Sequence, residues 1–394
     1  MKYRLSLIVL AAVFLVSACA KGPRPKVAKP PAKPLREVSA LERLEDALVK
    51  YRKIEAQGGW LQIPSGPKLQ IGDRDERVPI LRKRLALTGD LKERGGNEKG
   101  GGKDLFDEPL AEALRRFQER HGLEQDGALG KETAAALNVP VSDRIRQMEL
   151  NRDRLKQREK VAMRRIEVNI PDFRLRVMEG NMPVMAMNVV VGQRRQWQTP
   201  LLDSQIRFLI LNPKWYVPPT IFRKEVLAHI QKDVAYLTRQ NMVVLDVNGV
   251  VDPATVDWAQ VNPKAPQYKI VQREGPGNSL GRIKFMFPNK YAVYLHDTPQ
   301  KKLFGRRVRA LSHGCVRVEK PLDLAEYLMR ESPDWTRERI VSSIQTGKNR
   351  TVDLPESVPL HIMYLTSWVE SDGTVQFRDD IYGFDQGRPP EVSF

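Results

Sequence analysis

Hydrophobic and polar positions change period several times along the chain, and each change predicts an element. Leu5 to Val16 is an apolar run, interrupted by Ser6 alone, behind Lys2 and Arg4. It is shorter than the roughly 20 residues a spanning helix needs and suits the core of a secretory signal. Leu41, Leu44 and Leu48 recur at helical spacing, so 41–51 reads as a short amphipathic helix stopped by Gly58-Gly59. Val78, Leu81 and Leu85 predict a helix over 78–87, and Leu110, Ala113, Leu114 and Phe117 a second over 110–120. A Gly-rich loop (88–103) separates them, and a last short helix covers 131–137. Phe117 reads as core and His121 as a helix-end cap. The basic stretch 144–165, with few apolar positions among many charges, reads as a solvated helix face.

After Arg165 the period shortens to two. Ile166, Val168 and Ile170 alternate with polar residues; Leu175 and Val177 follow, then an extended run over 182–191 that Gly192 ends. Further strands are expected at 208–211, at 285–287 and 291–295 as a hairpin, at 360–369 and at 374–377, with helices at 321–330 and 335–344. The pattern predicts an α+β fold, with a mostly β domain of sandwich-like mixed sheets behind a small all-α domain.

Composition narrows the partners. A chain of 394 residues, 41% hydrophobic and 29% charged, accommodates two or three folded domains and excludes both a polytopic membrane protein and wholesale disorder. Two cysteines exclude a disulfide framework, and five histidines leave little room for a multi-metal site. A formal net charge of +17 and a pI near 9.8 call for an acidic partner: nucleic acid, anionic lipid or an acidic wall polymer. The signal-like start argues against nucleic acid. Val16-Ser17-Ala18 immediately before Cys19 resembles the lipobox of bacterial lipoproteins, which implies cleavage after residue 18 and acylation of Cys19. Two or more acyl chains anchor stably, at about 0.8 kcal/mol per buried methylene. Ala20 after the cysteine points to the outer membrane, and the Pro- and Lys-rich residues 19–40 read as a tether. Cys315 is then the one remaining thiol.

Two short segments carry candidate chemistry. Tyr294-Leu295-His296-Asp297 ends a strand, and Leu311-Ser312-His313-Gly314-Cys315-Val316-Arg317 follows, with Cys315 19 positions after His296. A thiol attacks a carbonyl as thiolate and needs a nearby imidazole or cation. The oxyanion that forms needs converging N–H donors, which a glycine beside the nucleophile allows. His296 supplies a base from another segment, with His313 as a second candidate. His296, His313 and Cys315 as three zinc ligands is the competing reading, but no second cysteine or acidic pair completes a known spacing.

The pair of segments closely resembles the L,D-transpeptidase family, whose signature is an upstream His and a Ser-His-Gly-Cys-hydrophobic-Arg block. The resemblance implies Cys315 as nucleophile and His296 as its general acid/base, with the backbone around His313, Gly314 and Cys315 as oxyanion hole. Ser312 would orient, and Arg317 would hold a substrate carboxylate or brace the loop. It further implies acyl transfer between peptidoglycan stem peptides with no cofactor and no metal, and inhibition by carbapenems. Leu81–Leu85, Leu114–Gln118, Gly122–Gly127 and Gly130–Thr133 together resemble the small helical peptidoglycan-binding domain. The expected organisation is a signal peptide (1–18), the tether (19–40), a helical scaffold in two parts (41–67 and 138–165) around the binding domain (68–137), and the catalytic domain (166–394) with a capping insertion at about 216–280. Tyr216, Trp197 and Trp258 read as core more readily than as cleft lining. Water or a protein amine as acceptor, giving a carboxypeptidase or an anchoring enzyme, and a catalytically silent binding lipoprotein remain as alternatives.

Overall fold

The computed structural model of the chain describes residues 38–92, 102–158 and 162–387. The expected signal peptide, Cys19 and nearly all of the expected tether lie outside the described residues, as do the middle of the Gly-rich loop and the last residues of the chain.

Among the described residues five helices precede the sheet: α1 (Ala40–Ala56), α2 (Arg77–Leu87), α3 (Glu108–Arg120), α4 (Lys131–Leu137) and α5 (Val141–Lys156). Ser39 and Glu42 cap the start of α1 reciprocally, and Gly58 and Gly59, both at positive φ, carry the chain away from its end. Asp107 caps α3 by accepting from the Leu110 N–H. Leu81, Leu85, Leu110, Leu114 and Phe117 close a helical core of their own. His121 ends α3, with Nδ1 donating to the Phe117 carbonyl at 2.7 Å and its ring stacked against Phe117 and Phe377. Helix α5 departs from the expected solvated face. It packs on α1 and buries Ile145, Met148, Arg144 and Asn151; the Arg144 guanidinium lies 4.6 Å from the Phe377 ring, and Asn151 bonds Thr366. Charge count along a helix does not reveal that its polar groups meet the backbone of a distant segment.

The strands are β1 (Arg164–Asn169), β2 (Arg174–Glu179), β3 (Met182–Gly192), β4 (Leu202–Leu211), β5 (Trp215–Tyr216), β6 (Met242–Leu245), β7 (Val250–Val251), β8 (Lys269–Gln272), β9 (Ile283–Met286), β10 (Leu295–His296), β11 (Ala310–Ser312), β12 (Val316–Val318), β13 (Arg350–Met363), β14 (Ser367–Val369) and β15 (Val375–Phe377). Among the described residues nine of them form one mixed sheet, in the order β11-β3-β12-β10-β9-β4-β13-β1-β2, and β2 pairs back onto β3. By its hydrogen bonding the sheet of the mostly β domain therefore closes on itself. Alternate residues fill it: Val168, Leu175, Val189, Ile206, Phe285, Leu295, Val316 and Leu360, with Leu324 and Leu328 of the helix Pro321–Met329 covering one side.

The expected strand over 360–369 splits between β13 and β14, which belong to different sheets. The hairpin after β9 also differs. Only Leu295 and His296 pair, because Asn289 takes the preceding loop for itself, bonding the Phe287 and Val293 carbonyls and the Tyr291 and Val293 N–H groups. Between β4 and β9 the insertion builds a four-stranded sheet, β5-β8-β6-β7, and a helical run over 219–232 with a π-helical stretch at Phe222–Val226. Its core includes Phe222, Ile230, Val244 and Trp258.

Candidate active site

The period of two places the site. On β9, β10 and β12, Phe285, Leu295 and Val316 point into the core and are fully buried. Their neighbours Lys284, His296 and Arg317 therefore share the other face, and the register sets them side by side: His296 lies opposite Lys284 on one flank and Arg317 on the other. Tyr294 and Cys315 belong to the adjoining row, where the Val316 N–H donates to the Tyr294 carbonyl. The Tyr294 and His296 rings meet edge to face at 5.6 Å, and the Lys284 ammonium sits 3.7 Å from the Tyr294 ring centre. These side chains, with Ser312, His313 and Gly314, line a cleft of ≈ 1330 Å³ roofed by the insertion.

His296 is buried, and its Nδ1 is 2.5 Å from the Asp297 carbonyl oxygen. A carbonyl only accepts, so Nδ1 carries the proton and Nε2 keeps its lone pair. Burial, then the charges of Arg317 and Lys284, push the imidazole pKa down to about 3, against the pull of the Asp297 and Leu280 carbonyls. The ring is neutral at ordinary pH and can serve as a base. The Asp297 carboxylate is engaged elsewhere, accepting from the Arg282 and Thr298 N–H groups and from Lys301.

Cys315 is free and half-buried. Burial raises its thiol pKa, while hydrogen bonding by the Tyr294 backbone and hydroxyl and the charges of Lys284 and Arg317 oppose that rise. The resting pair is thus a neutral thiol and a neutral imidazole, with two cations placed to favour the thiolate once the proton leaves.

The loop that presents the thiol is held from behind. Gly314 has φ +109, a conformation side chains other than glycine rarely adopt. Ser312 Oγ donates to the Cys315 carbonyl at 2.6 Å and accepts from the Gly314 N–H at 3.2 Å, which is an orienting role. Thr199 Oγ1 donates to the Gly314 carbonyl and accepts from the Gly192 N–H, both at 2.8 Å. Tyr382 adds a third tie, its hydroxyl donating to the Gly192 carbonyl at 2.6 Å. Gly192 itself has no room for a Cβ, which would stand 1.7 Å from the Trp197 carbonyl oxygen.

His313 points another way. Its Nε2 meets Glu225 Oε1 of the π-helical stretch at 2.7 Å, and Trp197 lies edge-on to its ring at 5.0 Å. The imidazole ties the loop to the roof, and the one nitrogen with a partner bonds a carboxylate. Arg317 Nη1 donates to Gln300 at 2.7 Å, and its buried Nε has no partner among the described residues. Among the described residues no three His, Cys, Asp or Glu side chains gather to hold a metal ion. The exposed Tyr216 lines the cleft rather than the core, Trp197 lines the cleft while packing against the core of the roof, and Trp258 is buried in the roof. Lys284, Thr199, Tyr382 and Glu225 carry no motif of their own. Tyr294 was legible, two positions before His296 on the same face of a strand.

Two family models match parts of the chain. Residues 163–348 match the family model described as "L,D-transpeptidase catalytic domain". Residues 74–137 match the one described as "Putative peptidoglycan binding domain". The chain thus carries a mostly β part similar to an L,D-transpeptidase catalytic domain and an all-α part similar to a peptidoglycan-binding domain. A curated relative from Haemophilus influenzae, named "Putative L,D-transpeptidase", is 36% identical over 222 residues, 56% of this chain and 44% of the relative. The match therefore spans less than half of that relative's length. Among solved structures, an L,D-transpeptidase of Xylanimonas cellulosilytica is similar at 14% identity, over 76% of this chain and 99% of that one, with a TM-score of 0.23. An L,D-transpeptidase of Stackebrandtia nassauensis is similar at 12% identity, over 77% and 96%, with a TM-score of 0.27. Both scores are too low to carry an argument. The sheet itself needs β13, which lies beyond the matched catalytic residues.

Proposed function

We propose that the chain is a periplasmic L,D-transpeptidase, lipid-anchored through Cys19, that crosslinks peptidoglycan stems through a thioester on Cys315. The observation that carries the reading is the cleft that gathers Cys315, neutral His296 and the braced 312–315 loop under one roof. His296 Nε2 takes the thiol proton as sulfur attacks the carbonyl between the third stem residue and the terminal D-amino acid. The C–S bond forms, the carbonyl becomes an oxyanion facing the Cys315 N–H, since the Gly314 N–H expected beside it is spent on Ser312 Oγ, and its collapse breaks the C–N bond. His296 returns the proton to the leaving amine. The amine of a second stem then attacks the thioester, His296 takes that amine's proton and gives it to the departing sulfur, and the amide crosslink is complete. His313, held by Glu225, serves the loop and the roof rather than the proton.

The test is the chain from residue 36 onward, incubated with disaccharide-tetrapeptide beside its Cys315→Ala form, with products resolved by mass spectrometry. A dimer lacking one D-alanine, absent from the variant, supports the reading. Tripeptide alone replaces it with a carboxypeptidase, and product from Cys315→Ala refutes the thioester. A carbapenem mass adduct on the wild type alone is expected as well. For the anchor, the mature N-terminal peptide of the full chain carries the acyl mass on Cys19; an unmodified Cys19 refutes it.

A further inference from the structure

The charge of the cleft is one-sided. Among the described residues that line it, every charged side chain is a cation: Lys214, Lys264, Lys269, Lys284 and Arg317. The nearby carboxylates already have partners: Glu225 holds His313, Asp297 holds Lys301 and two backbone N–H groups, and Glu274 lies 3.7 Å from Lys214. Lys284 and Arg317 have no acidic partner within ion-pair distance among the described residues. Lys284 instead rests on the Tyr294 ring, and Arg317 meets only the neutral amide of Gln300 while its Nε stays unpartnered. Withdrawing an ammonium and a guanidinium from water without a counter-ion is costly, and an incoming anion offsets that cost.

Both cations flank His296 in register, one strand to either side, and so stand beside the bond that Cys315 attacks. We propose that Lys284, with Arg317 across His296 from it, forms a carboxylate subsite that holds the acyl donor next to the scissile bond. The proposal deepens the acyl-transfer reading and rests on it. A tetrapeptide donor offers two carboxylates there, one on the side chain of the third residue and one at the D-terminus; both present the same chemistry.

Binding to the full chain carrying Cys315→Ala tests the subsite without turnover. Three disaccharide-tetrapeptides are compared by calorimetry: both carboxylates free, the third-residue carboxylate amidated, and the terminal one amidated. The expected result is that one amide binds about 10- to 100-fold more weakly than the acid, which identifies the carboxylate read. Adding Lys284→Met should bring that ratio close to one, and Lys284→Arg, which keeps the cation, should preserve most of it. Equal binding of all three ligands overturns the proposal, as does no binding of any. A uniform fall for all three in Lys284→Met also overturns it and leaves Lys284 serving only the sulfur. Failure of the underlying reading shows separately, as a wild type that releases no D-alanine from a donor its Cys315→Ala form binds with the expected discrimination.

Discussion

Replacing Thr199 by valine removes one hydroxyl from the back of the nucleophile loop and nearly nothing else. Thr199 is fully buried, and its Oγ1 both accepts the Gly192 N–H and donates to the Gly314 carbonyl. Valine fills the space but leaves a buried donor and a buried acceptor unpaired, at roughly 1–3 kcal/mol each. The stability loss should be about 2–6 kcal/mol, a substantial part of the roughly 5–15 kcal/mol that keeps a protein folded. The catalytic consequence follows from peptide planarity. The Gly314 carbonyl and the Cys315 N–H sit on opposite sides of one rigid plane, so the bond from Thr199 aims the Cys315 N–H into the cleft. Deleting one oxyanion donor costs about 100- to 1,000-fold in other acyl-transfer enzymes, and loosening one should cost less, about 10- to 100-fold. The fall should appear in kcat and equally in kcat/KM, because the oxyanion exists only after attack. D-alanine release measures the rate, and urea unfolding of the same protein the stability. Thr199→Ser, which keeps the hydroxyl, should recover most of both. A Thr199→Val protein that loses the stability yet releases D-alanine at the wild-type rate refutes the argument, since the peptide plane would then be held by something else.

Alkylation of Cys315 by iodoacetamide should accelerate steadily as pH rises towards 9, because burial raises the thiol and His296 stays neutral; a plateau between about pH 5 and 8, the mark of a thiolate–imidazolium pair, would contradict this. Acid should destabilise the fold from about pH 6.5 downward. His121 and His296 are buried and held below the usual histidine value, so the unfolded chain protonates first and stability, whole above 6.5, falls as pH drops, by up to about 1.4 kcal/mol per pH unit for each ring. Urea midpoints at pH 7.5 and 5.5 test this, and a His121→Leu protein with an unchanged slope would remove His121 from the account. Glu225→Gln weakens the tie between the roof and the loop at His313, an exposed contact worth about 1 kcal/mol or less. The melting temperature should hardly move while amide exchange across 222–226 quickens, and unchanged exchange would show that the apolar core of the roof alone holds it down.

The sequence shows most where one segment suffices. The helical periods of α1 to α4, the alternation in β1 to β3 and the two segments around His296 and Cys315 are local patterns, and each found its element. What it does not show is set by pairing between distant segments. Lys284 looks like a surface residue of a short strand until β9 is set beside β10, where it comes opposite His296. Thr199 and Tyr382 sit 116 and 67 positions from Cys315 in a chain whose sheet closes on itself, and only closure brings their hydroxyls behind the loop. The solvated reading of α5 failed for the same reason: Arg144 and Asn151 are polar residues whose partners, Phe377 and Thr366, come from the far end of the chain.

Burial silences His296 in the free protein, and the two cations that add to it have a consequence once a donor is bound. Arg317 and Lys284 both lower the imidazole pKa, so a carboxylate that neutralises them must let it rise. A stronger base then appears only with substrate in place, and a free enzyme holding a neutral thiol avoids reacting without one. The pH profiles separate the two states, since kcat/KM reports groups of the free enzyme and kcat those of the complex. Between about pH 5 and 7, well above the usual carboxylate values near 4, kcat/KM should stay flat on its acid side while kcat begins to fall. Lys284→Met should bring the two acid limbs together, having removed in advance part of the charge the substrate would neutralise. Coincident limbs in the wild type would mean that His296 does not sense the donor, and that the cations beside it act on the sulfur alone.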